Sequence, residues 1–437
     1  MPKKIAIVGG GVTGLAAAFT LERHTDAEID LYEAASKLGG KIGTERIGDL
    51  LIETGPDCFF ARKPGVKEFV CELGLEDELI EPVQKEFSIL SHGKLHRVPS
   101  GLASFTGLRP EAIDEATFLS EEAKERVKEE SRQLVGGGED ESITSFFTRR
   151  FGPDFTRLLA EPLLAGTHGG DPARLSMKAL YPAYIELERR QGSLSGVAGS
   201  TPGGQGSATF LSFRNGMQTL IDALVGGLGR TRLHLEHALD SVEELEGDRV
   251  LLAVPANRAA PLIARRSPGV AILIAAIEHR SSAVVTLSLA RTSVKHPMDG
   301  TGFLIPPSEP SAVTGATWSS SKWTNRAPVD AVLIRVFLGG DRSALLKRSD
   351  PELVREALDG ISGVMGIHDV PSEVRVVRWI DALPQYELGH LDRIAAIEAA
   401  LEFDPTLVIA GTSYRGVGIP DCLRQGREAA SKLMETL

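Results

Sequence analysis

Lys4-Ile5-Ala6-Ile7-Val8-Gly9-Gly10-Gly11-Val12-Thr13-Gly14-Leu15 is the stretch whose reading decides the fold. Its apolar, β-branched start reads as a buried parallel strand, and three glycines then open an Ala-rich helix over residues 15–22. Gly9 permits the tight turn, Gly11 lets a pyrophosphate approach the backbone, and Gly14 lets helix and strand pack closely. The free N–H groups and positive end of that helix face the anion. A second strand, residues 29–32, ends in Glu33, about 20 residues past the glycines, where a ribose hydroxyl needs an acceptor. Gly10, Val12, Thr13 and Ala34 belong to the same two turns. The expectation is a Rossmann-like α/β unit that binds a dinucleotide.

The chain of 437 residues is long enough for two or three domains. Its 42% hydrophobic and 24% charged content is that of a globular protein. A net charge of -11 argues against nucleic acid as partner, because phosphate binding needs a concentrated basic face. Cys58, Cys71 and Cys422 are widely spaced and form no metal or redox pair, which suits a reducing compartment. No signal peptide is read before the first strand, and the longest apolar run, residues 270–277, falls far short of the roughly 20 residues of a bilayer span. A cytoplasmic protein is expected, at most peripheral at a membrane.

The cradle continues past Glu33. Gly39 and Gly40 permit close backbone approach, and Lys41 brings a positive charge for a phosphate. Residues 64–73 read as a helix ending at Gly74. A polar, helical pattern follows, with helices at 116–134, 142–151 and 154–165, a glycine joint at 136–138 and a Gly/Ser-rich loop at 192–207. A helix at 218–228 and strands at 233–235 and 249–255 return to the first pattern. Short alternating segments at 283–290, 302–305, 312–318 and 332–338 then predict an antiparallel sheet.

Near the C-terminus, a strand at 407–411 leads through Thr412-Ser413-Tyr414-Arg415-Gly416-Val417-Gly418-Ile419 into a helix from about Pro420. Strand, glycine-rich turn and helix start recur here, so a second helix N-terminus faces the cofactor. Reduced flavin is negative along one ring edge, which such a terminus stabilises, and Gly411, Gly416 and Gly418 let a flat ring lie against backbone. With the first motif, this favours FAD over NAD. The expected division is an FAD-binding domain from 1–75, 210–258 and 379–437, a substrate domain from 76–99 and 259–378, and a helical insertion at 100–209.

Together the motifs resemble the flavin-dependent porphyrinogen oxidases, the protoporphyrinogen and coproporphyrinogen III oxidases of haem synthesis. The matching passages are GGGVTGLAAA, YEAASKLGGKIGT, IETGPDCF, RRFGPDFTRLLAEPLLAGTHGGDPARLSM, SFRNGMQTL, TWSSSKWTNRAP, LPQYELGH and SYRGVGIPDC, spread over nearly the whole chain. The resemblance implies non-covalent FAD, with Gly9 to Gly14 on the pyrophosphate and Glu33 on the ribose. It puts Gly40 and Lys41 beside the cofactor, Gly55, Pro56, Asp57 and Cys58 near the flavin, and Leu239 against adenine. Val417, Gly418 and Ile419 would meet the ring. Phe303 and Leu304 are the implied apolar contacts to a pyrrole, and Arg62 a candidate for a propionate. His168 stands where the family often has tyrosine, and Asp57 where its plant and animal branch has arginine. The implied reaction is a six-electron oxidation of a porphyrinogen, with dioxygen reoxidising the flavin. Contact with other haem-pathway enzymes is an implied partnership. No catalytic side chain is assigned.

Competing readings are weaker. A flavin amine oxidase needs aromatic residues to cage its amine, and 5% aromatic content with Tyr414-Arg415-Gly416 does not supply an obvious one. A desaturase of the same superfamily and a non-catalytic flavin carrier compete as well. His234 and His237 are three apart, which in a strand puts them on opposite faces and argues against a metal site. Gly192-Ser193-Leu194-Ser195-Gly196 fits a nucleophile elbow but lacks the strand and helix around it.

Overall fold

The computed structural model describes residues 3–136, 140–164, 166, 168–195, 210–339 and 343–435. Most of the loop expected at 192–207, and part of the glycine joint at 136–138, lie outside them.

The opening strand Lys4–Val8 is the middle of a five-stranded parallel sheet. Glu28–Tyr32 and then Arg232–His234 lie on one side of it, Arg249–Leu252 and then Leu407–Ile409 on the other. Side chains alternate along a strand, so Ile5 and Ile7 face one layer of helices while Ala6 and Val8 face another. The first layer holds Val12–His24, Gln218–Gly226 and the terminal helix Ile419–Glu435; the second holds Ala256–Leu262, Pro268–Ala275 and His390–Leu401. Both faces are buried, which is why these strands read as unbroken apolar runs.

A seven-stranded sheet forms the second layer system, in the order Glu373–Pro384, His279–Ala290, Ala331–Leu338, Val313–Trp318, Gly302–Leu304, Ser88–Ser91 and Lys94–Arg97. Neighbours are antiparallel except Gly302–Leu304 against Ser88–Ser91. The 12-residue strand Glu373–Pro384 crosses the seam expected at 378, and the helices over 256–275 pack on the parallel sheet. The fold is thus the α/β architecture with an antiparallel sheet and a helical insertion.

The insertion has its own core of Phe105, Phe146, Phe147, Phe151 and Phe155, all nearly inaccessible. Of the long helix expected at 116–134, only Glu121–Lys128 and a short 3-10 turn, Glu130–Arg132, form. The break gives Glu130 a buried role. Its carboxylate takes hydrogen bonds from Arg150, from the Ser193 and Ser195 hydroxyls and from two backbone N–H groups, while Arg150 also pairs with Glu188. Those serines serve as hydrogen-bond partners of a buried carboxylate, and among the described residues no strand leads into them as a nucleophile elbow requires.

Candidate functional site

Glycine sterics build the first half of the site. A Cβ at Gly14 would sit 2.0 Å from the Gly9 carbonyl oxygen, so helix and turn touch as expected. Gly11 has nothing within 4 Å, and it caps the helix Val12–His24 without any side-chain cap; no acidic residue lies in the first turn. Such a helix start leaves N–H donors and a positive end for an anion. The Glu33 carboxylate accepts from the Gly10 N–H at 2.8 Å and the Ala35 N–H at 2.8 Å, which aims it along the glycine turn. Ala34 is exposed beside it. Gly39 donates to the Gly10 carbonyl, which brings Gly40 against Gly11.

The second half comes from the far end of the chain. The terminal helix lies against the first one so closely that a Cβ at Gly426 would be 2.4 Å from the Thr13 carbonyl. Cys422 is buried next to the Thr13 hydroxyl, and burial pushes its thiol up to about 11. Gly416 has a φ of +119°, and a side chain there would strike Asp421, which pairs with Lys63 at 3.0 Å. The Tyr386 hydroxyl donates to the Thr412 carbonyl and accepts from the Gly416 N–H, each at 2.8 Å, and Gln425 accepts from Gly411. Val417 and Gly418 stay half-buried where the loop enters the helix; Ile419 is buried.

Between the two halves stands Lys41. Burial lowers its basicity, its ammonium donates to the Ala382 carbonyl, and no carboxylate among the described residues pairs with it. An isolated buried ammonium is costly, so its setting calls for an anion. An uncapped helix start, an oriented carboxylate, a glycine cradle and a lone cation together fit the diphosphate and ribose of a dinucleotide.

Asp57 is a hub. Its carboxylate accepts from Lys322 Nζ and Trp323 Nε1, each at 2.9 Å, with Arg335 at 4.0 Å. Burial pushes the carboxyl up, but Lys322 and Arg335 outweigh it and hold it well below the usual carboxylate range. Arg335 also donates to the Gly55 carbonyl, and Trp379 to the Thr54 carbonyl at 3.1 Å. Cys58, beside Lys322, is pushed up to about 12 by burial and the Asp57 charge. Pro56 is half-buried in this turn. The segment 54–58 is therefore clasped to the antiparallel sheet and the short helix Ser319–Lys322 beside it. Sequence reasoning gave Lys322, Trp323 and Arg326 of SKWTNR no role; their charge, set against the acid of IETGPD, was the available signal.

Other expected residues lie elsewhere. Phe303 is 2% exposed and packs into the sheet core near Trp318, so it is not an open apolar contact. Leu304, its neighbour in the strand, points the other way, toward the helical core. Leu239 packs half-buried against the second helix layer and lines a surface pocket with Tyr32. Arg62 is half-buried before the helix Val66–Glu72. His234 and His237 do not lie on opposite faces: the strand stops at His234, Glu236 takes a φ of +53°, and both rings come to Tyr32. His234 binds Asp30 at 2.7 Å.

The fold and this cradle define a flavoprotein oxidoreductase. Residues 12–434 match the family described as flavin containing amine oxidoreductase, and the chain belongs to that family. It is similar to the coproporphyrinogen III oxidase of Bacillus subtilis (32% identity over 100% of this chain and 98% of the relative). It is also similar to the coproporphyrinogen III oxidase of Mycobacterium tuberculosis (33%, 100% and 98%). A solved structure from Exiguobacterium sp. 255-15, provisionally named a protoporphyrinogen oxidase, superposes with a TM-score of 0.89 over all of both chains at 30% identity. Cyclohexylamine oxidase from Brevibacterium oxydans, at 17% identity over 100% of this chain and 99% of that one (TM-score 0.70), shares the fold. FAD is the cofactor of this enzyme.

Proposed function

We propose that this enzyme oxidises a porphyrinogen to the aromatic porphyrin in haem biosynthesis, with coproporphyrinogen III as the first substrate to test and protoporphyrinogen IX as the second. The observation that carries the reading is end-to-end similarity, at about one residue in three, to relatives named for that activity. The TM-score of 0.89 to the Exiguobacterium structure supports the same substrate class.

In this reading the backbone from Gly9 to Gly14 holds the FAD pyrophosphate at the helix N-terminus, and Glu33 accepts from the adenosine ribose. Gly40 lets backbone approach the cofactor, and Lys41 supplies the balancing positive charge. Leu239 flanks the adenine, and Gly55, Pro56, Asp57 and Cys58 form one wall near the ring. Gly411 and the segment Val417, Gly418 and Ile419 lie along the flavin, held in place by Tyr386. When bound, FAD supplies a two-electron acceptor for a substrate C–H, and dioxygen restores it. The chain's part is to orient the macrocycle, exclude water and keep positive charge near the ring. The buried clasp of Asp57 with Lys322 and Arg335 sets the distance between the two domains that enclose the substrate.

No helix among the described residues is long and apolar enough to cross a membrane. We place the enzyme in the cytoplasm, at most touching a membrane surface or another enzyme of the haem pathway. The test is direct. Purified protein should be yellow and should convert coproporphyrinogen III, protoporphyrinogen IX or both to fluorescent porphyrin with oxygen consumption. A yellow protein that oxidises amines and neither porphyrinogen would favour the amine oxidase reading.

A further inference from the structure

Gln385 holds the loop 168–170, and with it a buried histidine, beside the segment 382–386 that meets Lys41 and the C-terminal loop. His168 is 7% exposed. Its carbonyl accepts from Gln385 Nε2 at 2.9 Å, Gly170 leaves no room for a side chain against Gln385, and Gly169 takes a φ of +62° beside Leu383. Its Nε2 lies 3.3 Å from the Tyr181 hydroxyl. That hydroxyl gives its single proton to the Leu164 carbonyl at 2.9 Å, so toward His168 it accepts, and Nε2 carries the hydrogen. Nδ1 is then a bare lone pair. It makes no hydrogen bond with any described residue. No charged group acts on the ring, and burial alone lowers its basicity to about 4, so it is neutral in the neutral pH range.

The position is close to the cofactor elements. Ala382, three residues before Gln385, accepts from Lys41, and Tyr386, next to it, ties the loop of Thr412 and Gly416. An oriented, neutral imidazole with one open nitrogen is a proton acceptor waiting for a donor. A porphyrinogen offers four pyrrole N–H groups around its rim. Resting on the porphyrinogen reading above, we propose that His168 Nδ1 takes the pyrrole N–H proton released as the macrocycle is oxidised. In a two-electron step a bridging C–H leaves with its bonding pair to the oxidised flavin, the pyrrole nitrogen lone pair closes a C=N bond through the ring, and the proton passes to Nδ1 while the N–H pair stays on nitrogen. Across the three steps one further proton shifts from the last bridging CH2 to a ring nitrogen, so that four C–H and two N–H hydrogens are lost in all. The cationic C=NH that precedes proton loss is acidic, so a weak base suffices. The proton returns to solvent when product leaves.

Two measurements on the holoenzyme test this. In anaerobic stopped flow with coproporphyrinogen III, and separately with protoporphyrinogen IX, His168→Gln should slow flavin reduction about 100-fold, while coproporphyrin III affinity and flavin content stay within about threefold. Separately, diethylpyrocarbonate should modify His168 in wild-type protein, read by peptide mass, and bound coproporphyrin III should block it. Reduction of wild-type flavin by neither porphyrinogen overturns the function reading and this proposal with it. Reduction that survives His168→Gln within about threefold overturns the base assignment alone, as does modification that coproporphyrin III leaves unchanged or a His168 that never reacts.

Discussion

Two glycine substitutions separate the cofactor's needs from those of the fold. At Gly11 the backbone is extended (φ −74°, ψ 176°), and an added Cβ meets nothing within 4 Å. Gly11→Ala should therefore cost the flavin-free protein less than about 0.5 kcal/mol. The same methyl occupies the space assigned to the pyrophosphate. Losing two charge-assisted N–H contacts at about 1.5–3 kcal/mol each removes about 3–6 kcal/mol, or roughly two to four decades in Kd for FAD. At Gly14 the methyl must move from 2.0 Å to the 3.4 Å of ordinary contact, parting helix and strand by about 1.4 Å. That overpacking costs about 1–3 kcal/mol and displaces the helix start as well. Urea unfolding of the deflavinated proteins and FAD titration by fluorescence quenching read the two effects apart. Gly14→Ala should fail in both, Gly11→Ala only in the second. A Gly11→Ala protein that binds FAD as wild type does would show that the pyrophosphate lies elsewhere.

Asp57→Asn leaves Lys322 and Arg335 buried without their carboxylate, and should lower stability by about 3 kcal/mol in urea unfolding; an unchanged midpoint would remove the clasp from the account. Burial holds His168 and His390 near about 4 against an ordinary 6.5, so each stays neutral when folded while the unfolded chain takes up a proton. Stability from this source is complete above about pH 6.5 and is lost as pH falls toward 4, by up to about 3 kcal/mol per histidine. Urea midpoints across that range should fall, and His390→Gln should shallow the decline. Tyr386→Phe removes both hydroxyl bonds to the C-terminal loop and should raise the FAD dissociation rate about tenfold, measured by dilution into a flavin-trapping apoprotein. Lys41→Met tests which part of the cofactor its charge serves: a lower FAD affinity with unchanged flavin midpoint potential indicates the phosphates, and a more negative potential indicates the ring.

The glycine motif was legible because part of its constraint is local: a Cβ at Gly14 collides with Gly9 within the motif itself, although one at Gly9 would strike Ala253 and Val254 of a distant strand end. Glu33 was legible for a similar reason, since its distance along the chain is set by one helix and one strand. The clasp at Asp57 was not, because its partners lie more than 260 residues away and lysines read as solvated until something buries them. Phe303 shows a third limit. The sequence marked the strand Gly302–Leu304 but not its facing, and one residue of register decides which of two cores a side chain enters, the sheet core for Phe303 or the helical core for Leu304. The strand Glu373–Pro384 went unread because arginines at 375 and 378 break its apolar pattern; they pair with Glu45 and Asp350. The histidine pair was misjudged because strand alternation was extended past the point where the strand ends.

Residues 382–386 meet three distant partners in sequence: Lys41 through Ala382, the His168 loop through Gln385, and the Thr412–Gly416 loop through Tyr386. Such a pentapeptide behaves as a gauge block whose length sets three clearances at once. Inserting or deleting one residue there would throw all three out of step, whereas surface connections can lengthen freely. Anyone grafting the helical insertion of one relative onto another should therefore carry this short piece across with it.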